Sequence, residues 1–116
     1  MATGPGLYVV AAPSGAGKTS LVDALIKTMP TAGVAVSHTT RPRRKDEVDG
    51  VNYHFVTETA FRAMQTSNGF VESAVVFGNL YGTSRAEIDR LRAAGQHVIL
   101  EIDWQGARQI RSTLPW

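Results

Sequence analysis

Short apolar runs and amphipathic stretches alternate along most of this chain. Leu7-Tyr8-Val9-Val10-Ala11 is apolar throughout, the mark of a parallel strand covered on both faces. Leu21, Val22, Leu25, Ile26 and Met29 recur at helical spacing, and Pro30 predicts where that helix stops. Val34-Ala35-Val36-Ser37 reads as a second short strand, and the polar residues 38–52 read as a loop. Tyr53-His54-Phe55-Val56 alternates like a half-buried strand. Thr57 is placed to cap a helix running to about Thr66, with Phe61 and Met64 facing inward. After a turn at Asn68-Gly69, residues 70–77 read as strand, and Gly78-Asn79-Leu80-Tyr81-Gly82 reads as a turn. Ser84 and Glu87 have capping-box spacing and open a helix to about Ala94, which Gly95 ends. Residues 97–103 form another buried strand with carboxylates at its carboxyl end, and a last helix runs from Trp104 past Ile110 to Leu114-Pro115.

This order predicts an α/β fold in two parts. Residues 1–37 and 84–116 alternate strand and helix, as a parallel core sheet requires, while residues 38–83 read as a small mixed or antiparallel insertion between them. Ligands of open parallel sheets bind beyond the carboxyl ends of the strands, which places the segment after Ala11 and the segment Glu101–Asp103 on one side, under the insertion.

Composition narrows the chemistry. With 116 residues, 43% hydrophobic and 19% charged, the chain is an ordinary globular sequence without repeats or low-complexity segments. The absence of cysteine excludes disulfides, thiolate metal sites and cysteine nucleophiles. A net charge of +2 gives no reason to expect nucleic acid or a membrane as partner. Arginine outnumbers lysine nine to three, which suits planar recognition of phosphate or carboxylate. The first six residues lack the pattern of a signal peptide, so a cytoplasmic location is expected; oligomeric state is left open.

Between the first strand and the first helix stands Ala12-Pro13-Ser14-Gly15-Ala16-Gly17-Lys18-Thr19, a phosphate-binding loop in its proper setting. Gly15 and Gly17 let the backbone turn tightly and aim N–H groups at an anion, and the helix start adds unpaired donors. Lys18 is placed for the β- and γ-phosphates of a nucleotide, and the Thr19 hydroxyl for Mg²⁺. Ala12 stands where the general pattern has glycine, which a negative φ would tolerate.

The insertion carries candidates for a second site. Arg41 and Arg44 can grip one phosphate from two sides, although clustered arginines are as often simply solvated. Tyr53 and Tyr81 can add hydroxyl donors. Glu72 sits mid-strand among apolar residues: it either faces outward or, if inward, needs a hydrogen-bond donor as partner. His38, His54 and His97 share no metal-ligand spacing and read as structural.

Together the phosphate loop, Ser37-His38-Thr39-Thr40-Arg41, the Gly50…Tyr53…Phe55 spacing, Phe77-Gly78-Asn79 with Tyr81-Gly82-Thr83, and Glu101-Ile102-Asp103-Trp104-Gln105-Gly106 resemble the guanylate kinases, the bacterial forms above all. The resemblance implies the P-loop nucleoside monophosphate kinase fold and the transfer of a phosphoryl group from ATP to GMP or dGMP with Mg²⁺. It implies that residues 12–19 bind ATP, that Arg41, Arg44, Tyr53 and Tyr81 hold the GMP phosphate, and that Ser37, Glu72, Thr83 and Asp103 surround the guanine. Lys18, Arg41 and Arg44 would be the catalytic cations, and Glu101 would support Mg²⁺ through water. Guanine presents N1–H and an exocyclic NH₂ side by side, two donors for one carboxylate, whereas adenine has an acceptor at N1 and no donor at C2.

Two departures qualify the match. The family usually reads Arg-x-Pro-Arg, a small residue, then Gly-Glu; here Arg41-Pro42-Arg43-Arg44-Lys45-Asp46-Glu47 shifts the proline and replaces the glycine by Asp46, so Arg43 competes with Arg44 for the phosphate, spacing favouring Arg44. Guanylate kinases also continue past this length with another core strand, an arginine-bearing lid and further helices. The chain is therefore expected to be an amino-terminal portion of impaired activity and marginal stability. A P-loop kinase of a phosphorylated sugar and a non-enzymatic guanylate-kinase-like binding module are the alternatives; Glu72, Thr83 and Asp103 speak against the first, the intact Lys18 and Thr19 against the second. A plain P-loop ATPase lacks an evident residue to position the attacking water.

Overall fold

The computed structural model describes residues 6–11, 18–28, 31–102 and 104–113. Its elements follow the order β1 (Leu7–Ala11), α1 (Lys18–Thr28), β2 (Ala32–Val34), β3 (His38–Thr39), β4 (His54–Phe55), α2 (Glu58–Thr66), β5 (Phe70–Val76), β6 (Asn79–Ser84), α3 (Arg85–Ala93), β7 (His97–Ile102) and α4 (Trp104–Thr113). They build two sheets. One is parallel with order β1-β7-β2, and the other has order β4-β3-β6-β5.

The central strand β7 explains the first sheet. Val98, Ile99, Leu100 and Ile102 are all buried, as a strand with helices on both faces requires. Alternation sends Ile99 toward α1, where it packs with Val10, Val22 and Ala32. Val98, Leu100 and Ile102 point the other way, into a cluster with Ile88 and Leu91 of α3, Ile110 of α4 and Val71 of β5. Val71 thus ties the second sheet into the same core. Glu101 shares the α1 face with Ile99 and pairs across the ladder with Val10, beside the end of β1.

The second sheet is mixed: β3 runs parallel to β4 and antiparallel to β6, which pairs antiparallel with β5. One face is closed by α2 through Phe61, Phe70 and Leu80, with Val56 and Met64 at the edge. The hairpin between β5 and β6 turns in two residues, Phe77 (φ 50) and Gly78 (φ 80). Positive φ at both central positions matches the twist of the flanking strands. Phe77 is the unusual member, a bulky residue in the left-handed region and 92% exposed.

Helix ends are local. Thr57 accepts the Ala60 N–H and Ser84 accepts the Glu87 N–H. Gly95 (φ 78) closes α3, with Gln96 N–H on Leu91 O and Gly95 N–H on Arg92 O. The histidines are half-buried and make local contacts: His97 Nδ1 accepts the Gly6 N–H, and the ring centres of His38 and His54 lie 4.6 Å apart.

Several sequence expectations move. The strand expected at 34–37 is observed three residues wide at Ala32–Val34, although Ala35 N–H still reaches Ile99 O. The expected loop 38–52 begins as strand β3, because the Thr39 and Thr40 hydroxyls satisfy the backbone of β6: Thr39 Oγ1 donates to Leu80 O, and Leu80 N–H donates to Thr40 Oγ1. The expected turn 78–82 is strand from Asn79 onward, the turn itself needing only Phe77-Gly78. The capping box forms only by half: Ser84 is still paired with Phe70 in the ladder, and the Glu87 carboxylate accepts the Val36 N–H instead.

Candidate functional site

Ladder register gathers most of the residues that the resemblance assigns to GMP on one face of the mixed sheet. On β6, Tyr81 and Thr83 are two apart and share a face. Across the ladders, Thr39 stands opposite Tyr81, Phe55 beside Thr39, and Glu72 opposite Thr83. Extending each strand by two residues adds Ser37 and Tyr53 to the same face. The opposite face belongs to α2, so this polar face is the one turned away from that helix.

At one end of this face lies a buried carboxylate. Glu72 is only 4% exposed and Thr83 only 1%. The Thr83 hydroxyl donates to Glu72 Oε1 at 2.7 Å, and Ser37 Oγ lies 3.5 Å from Thr83 Oγ1. Since the single Thr83 proton goes to Glu72, Ser37 is the donor in that second contact. Glu72 faces inward because the ladder register shifts between Phe70 and Glu72, so that Phe70, Val71 and Glu72 are all buried in succession.

At the other end lies a cationic and phenolic group. The Arg41 guanidinium stands 5.2 Å from the Tyr53 ring centre and 5.9 Å from that of Phe55. The Tyr53 and Tyr81 rings are 5.9 Å apart. Burial raises the Tyr53 hydroxyl above its ordinary value, with Tyr81 adding to the effect, Arg41 opposing it, and the charge of Glu101 reaching it from the parallel sheet. Arg41 N–H also donates to Thr39 Oγ1, which ties the start of the arginine loop to β3.

The residue that organises this loop is Glu47. Its Oε2 accepts Arg41 Nη2 at 2.7 Å, with the two side chains 12% and 16% exposed, and its Oε1 accepts the Arg44 N–H at 2.8 Å. The Glu47 carboxyl is held below its ordinary value, first by Arg41 and then by the Arg44 amide; Arg41 is raised in turn, chiefly by Glu47. Arg43 folds back onto the Glu47 carbonyl at 2.8 Å, whereas the exposed Arg44 guanidinium makes no hydrogen bond or ion pair among the described residues. The sequence marked Glu47 only as part of a family pattern; an acid among four cations was the available signal.

The other candidates stand apart or outside view. Residues 12–17 and Asp103 lie outside the described residues, as do the side chains of Lys18 and Thr19, whose backbone opens α1. Glu101 is half-buried near the carboxyl end of β7. Two residues that sequence reasoning did not single out touch the carboxylate strand: a Cβ on Gly106 would come within 2.5 Å of Glu72 Oε2, and Gln109 binds the Ser73 backbone. No described helix is long and apolar enough to cross a membrane.

The model of the guanylate kinase family matches residues 5–115, nearly the whole chain. The chain belongs to the guanylate kinase family. A guanylate kinase of Alkalilimnicola ehrlichii is 60% identical over 109 residues, which cover 94% of this chain and 54% of that protein. One of Pseudomonas fluorescens is 56% identical over the same length. Among solved structures, the guanylate kinase of Anaplasma phagocytophilum superposes with a TM-score of 0.75 at 30% identity, covering 96% of this chain and 54% of that one. The chain thus spans about half the length of the curated relatives it matches, and it has the P-loop kinase fold expected for their first half.

Proposed function

We propose that this chain carries the nucleoside monophosphate seat and the triphosphate loop of an ATP:GMP phosphotransferase, with GMP or dGMP as acceptor. The observation that carries the reading is the buried Glu72 carboxylate, held by a Thr83–Ser37 hydroxyl chain on the same sheet face as Arg41, Tyr53 and Tyr81. A carboxylate so placed suits two adjacent donors, as on the N1–H and 2-amino edge of guanine, whereas adenine, with an acceptor at N1 and no donor at C2, offers it no such pair. Sites built on such hydrogen bonds reject the unmatched analogue strongly. A phosphorylated sugar has no use for this end of the face.

In this reading residues 38–83 form the GMP-binding part, and residues 1–37 with 84–116 the core that takes ATP. Residues 12–19 hold the ATP phosphates, with Lys18 on the β- and γ-phosphates. Arg41, Arg44, Tyr53 and Tyr81 hold the GMP phosphate, and Ser37, Glu72, Thr83 and Asp103 enclose the base. A GMP phosphate oxygen attacks the γ-phosphorus in line; the new P–O bond forms as the bond to the β-phosphate oxygen breaks, leaving ADP. No protein atom is phosphorylated, so the side chains contribute positioning and charge neutralisation. Arg41 enters the site already charged, and the incoming phosphate shares its guanidinium with the Glu47 carboxylate that anchors it.

Magnesium suits the donors present. The Thr19 hydroxyl and Glu101, the latter through water, would hold it, and it would neutralise charge on the ATP phosphates.

Calorimetric titration of the chain with GMP and AMP tests the reading. GMP should bind at least about a hundredfold more tightly than AMP, and Glu72→Gln should erase most of that preference. Equal affinities in the unaltered chain would overturn it. Peptide binding without nucleotide binding would favour the non-enzymatic module instead.

A further inference from the structure

Three consecutive residues of β5 are each met by α4. Val71 packs in the cluster that contains Ile110. Glu72 lies against Gly106, where an added Cβ would come within 2.5 Å of Oε2, 3.0 Å of Cδ and 3.2 Å of the Ile102 methyl. Ser73 is bound at both backbone groups by Gln109: its N–H donates to Oε1 at 2.8 Å, and Nε2 donates to its carbonyl at 2.6 Å. Because β5 is the edge strand of its sheet, the Gln109 amide fills the place of a missing neighbour strand.

We infer that Gly106 and Gln109, about one turn apart on α4, are positioning residues that set where the Glu72 carboxylate stands and thereby how sharply the site selects its base. The inference rests on the reading of Glu72 as the base-recognising group. Gln109 fixes the strand next to the carboxylate, and Gly106 leaves the space in which its second oxygen stands. Thr83 holds the first oxygen from the opposite strand, so the carboxylate is bracketed between β6 and α4. A methyl at position 106 meets a side-chain end rather than backbone, so the carboxylate itself is the group that must move. The expected consequence is an altered site on an intact fold.

The test is a binding series on the 116-residue chain with GMP, IMP, which lacks only the 2-amino group, and ribose 5-phosphate, which has no base. Gly106→Ala should weaken GMP at least about tenfold and reduce the IMP-to-GMP ratio of dissociation constants by a similar factor, leaving ribose 5-phosphate within about twofold. Gln109→Leu should shift the ratio the same way by a smaller factor. The double variant Gly106→Ala/Glu72→Gln should bind GMP no more weakly than Glu72→Gln alone, since both changes act on one contact.

An unchanged ratio in Gly106→Ala, additive losses in the double variant, or equal weakening of all three ligands would overturn the inference. Should Gly106→Ala lose its cooperative thermal transition, Gln109→Leu decides by the same ratio. If Glu72→Gln itself leaves the ratio unchanged, the base-recognition reading fails; if it collapses the ratio while Gly106→Ala and Gln109→Leu preserve it, only the role of α4 fails.

Discussion

Val98, Ile99 and Leu100 in the parallel sheet, and Thr39 and Thr83 in the mixed sheet, are equally sealed from water, at 1% exposure or less. The first three are there because burying apolar surface is favourable wherever it occurs. The two threonines are there because each hydroxyl has a named partner, Leu80 O for Thr39 and Glu72 for Thr83. Apolar burial is tolerant of small shifts, whereas a buried hydroxyl or carboxylate is stable only at the spot where its partner stands. A sheet meant to scaffold gains from the first kind of interior, and a sheet meant to recognise gains from the second.

The largest expected effect lies in the parallel sheet. Ile99→Ala empties a site with 0% exposure between α1 and β7, and should cost about 2–5 kcal/mol in urea denaturation. The matched change in the mixed sheet is Thr83→Val, which keeps the shape but removes the proton given to Glu72. It should cost about 1–3 kcal/mol, although it makes the interior more apolar. A neutral or stabilising result for Thr83→Val would break the comparison, since it would mean that shape, not hydrogen bonding, holds the mixed sheet.

The same difference governs what the sequence reveals. The parallel sheet is written in unbroken apolar runs, so β1 is legible to the residue and β7 to within one. The mixed sheet hides its strands in polar letters. Residues 79–82 look like a turn and residues 38–39 like the start of a loop because Asn, Thr, Tyr and Gly normally mark solvent. Here the pairing of β3 with β6 and the threonine hydroxyls absorb those polar groups. The inward direction of Glu72 was equally unreadable, because the irregularity after Phe70 breaks the alternation from which facing is inferred. Gly106 and Gln109 act through contacts distant in sequence, and Glu47 through a loop contact six residues back to Arg41, so no helical or strand period marks them. The family resemblance supplied what periodicity could not, since motif order survives where hydropathy is silent.

Glu47 sharpens the comparison at the edge of the mixed sheet. Its carboxylate serves two ends, the Arg41 fork and the Arg44 amide, and neither lies in a hydrophobic core. Glu47→Ala should therefore leave the unfolding midpoint within a few degrees while weakening affinity for the phosphate of GMP about tenfold, because the arginines lose their common anchor. Binding of a phosphate-free nucleoside, guanosine, should not change. A large fall in thermal stability with no loss of GMP affinity would make Glu47 a structural residue only.

The smallest effect is a pH dependence seated in the mixed sheet. His38 lies under the His54 ring and edge-on to Phe70, and its Nδ1 is buried without a hydrogen-bond partner among the described residues. Burial first, and then His54, lowers its pKa from the ordinary 6.5; Glu87 on α3 and Asp49 in the loop between β3 and β4 pull in the opposite direction without prevailing. The folded state therefore favours the neutral ring, and the unfolded chain binds more protons below about pH 6.5. Stability from this group is full above that value and declines as the pH falls through the window beneath it. The carboxyls of Glu47 and Glu87 are likewise lowered, so their contributions fade only further down, below their ordinary value of 4.5. Between pH 7.5 and 5.5 the decline should accordingly be due to His38. His38→Phe keeps the ring stack and removes the proton, so it should flatten the thermal midpoint across that range while leaving it nearly unchanged at pH 7.5. A slope that survives the substitution would move the titration to another group and leave the buried ring as simple packing, an apolar element inside the polar sheet.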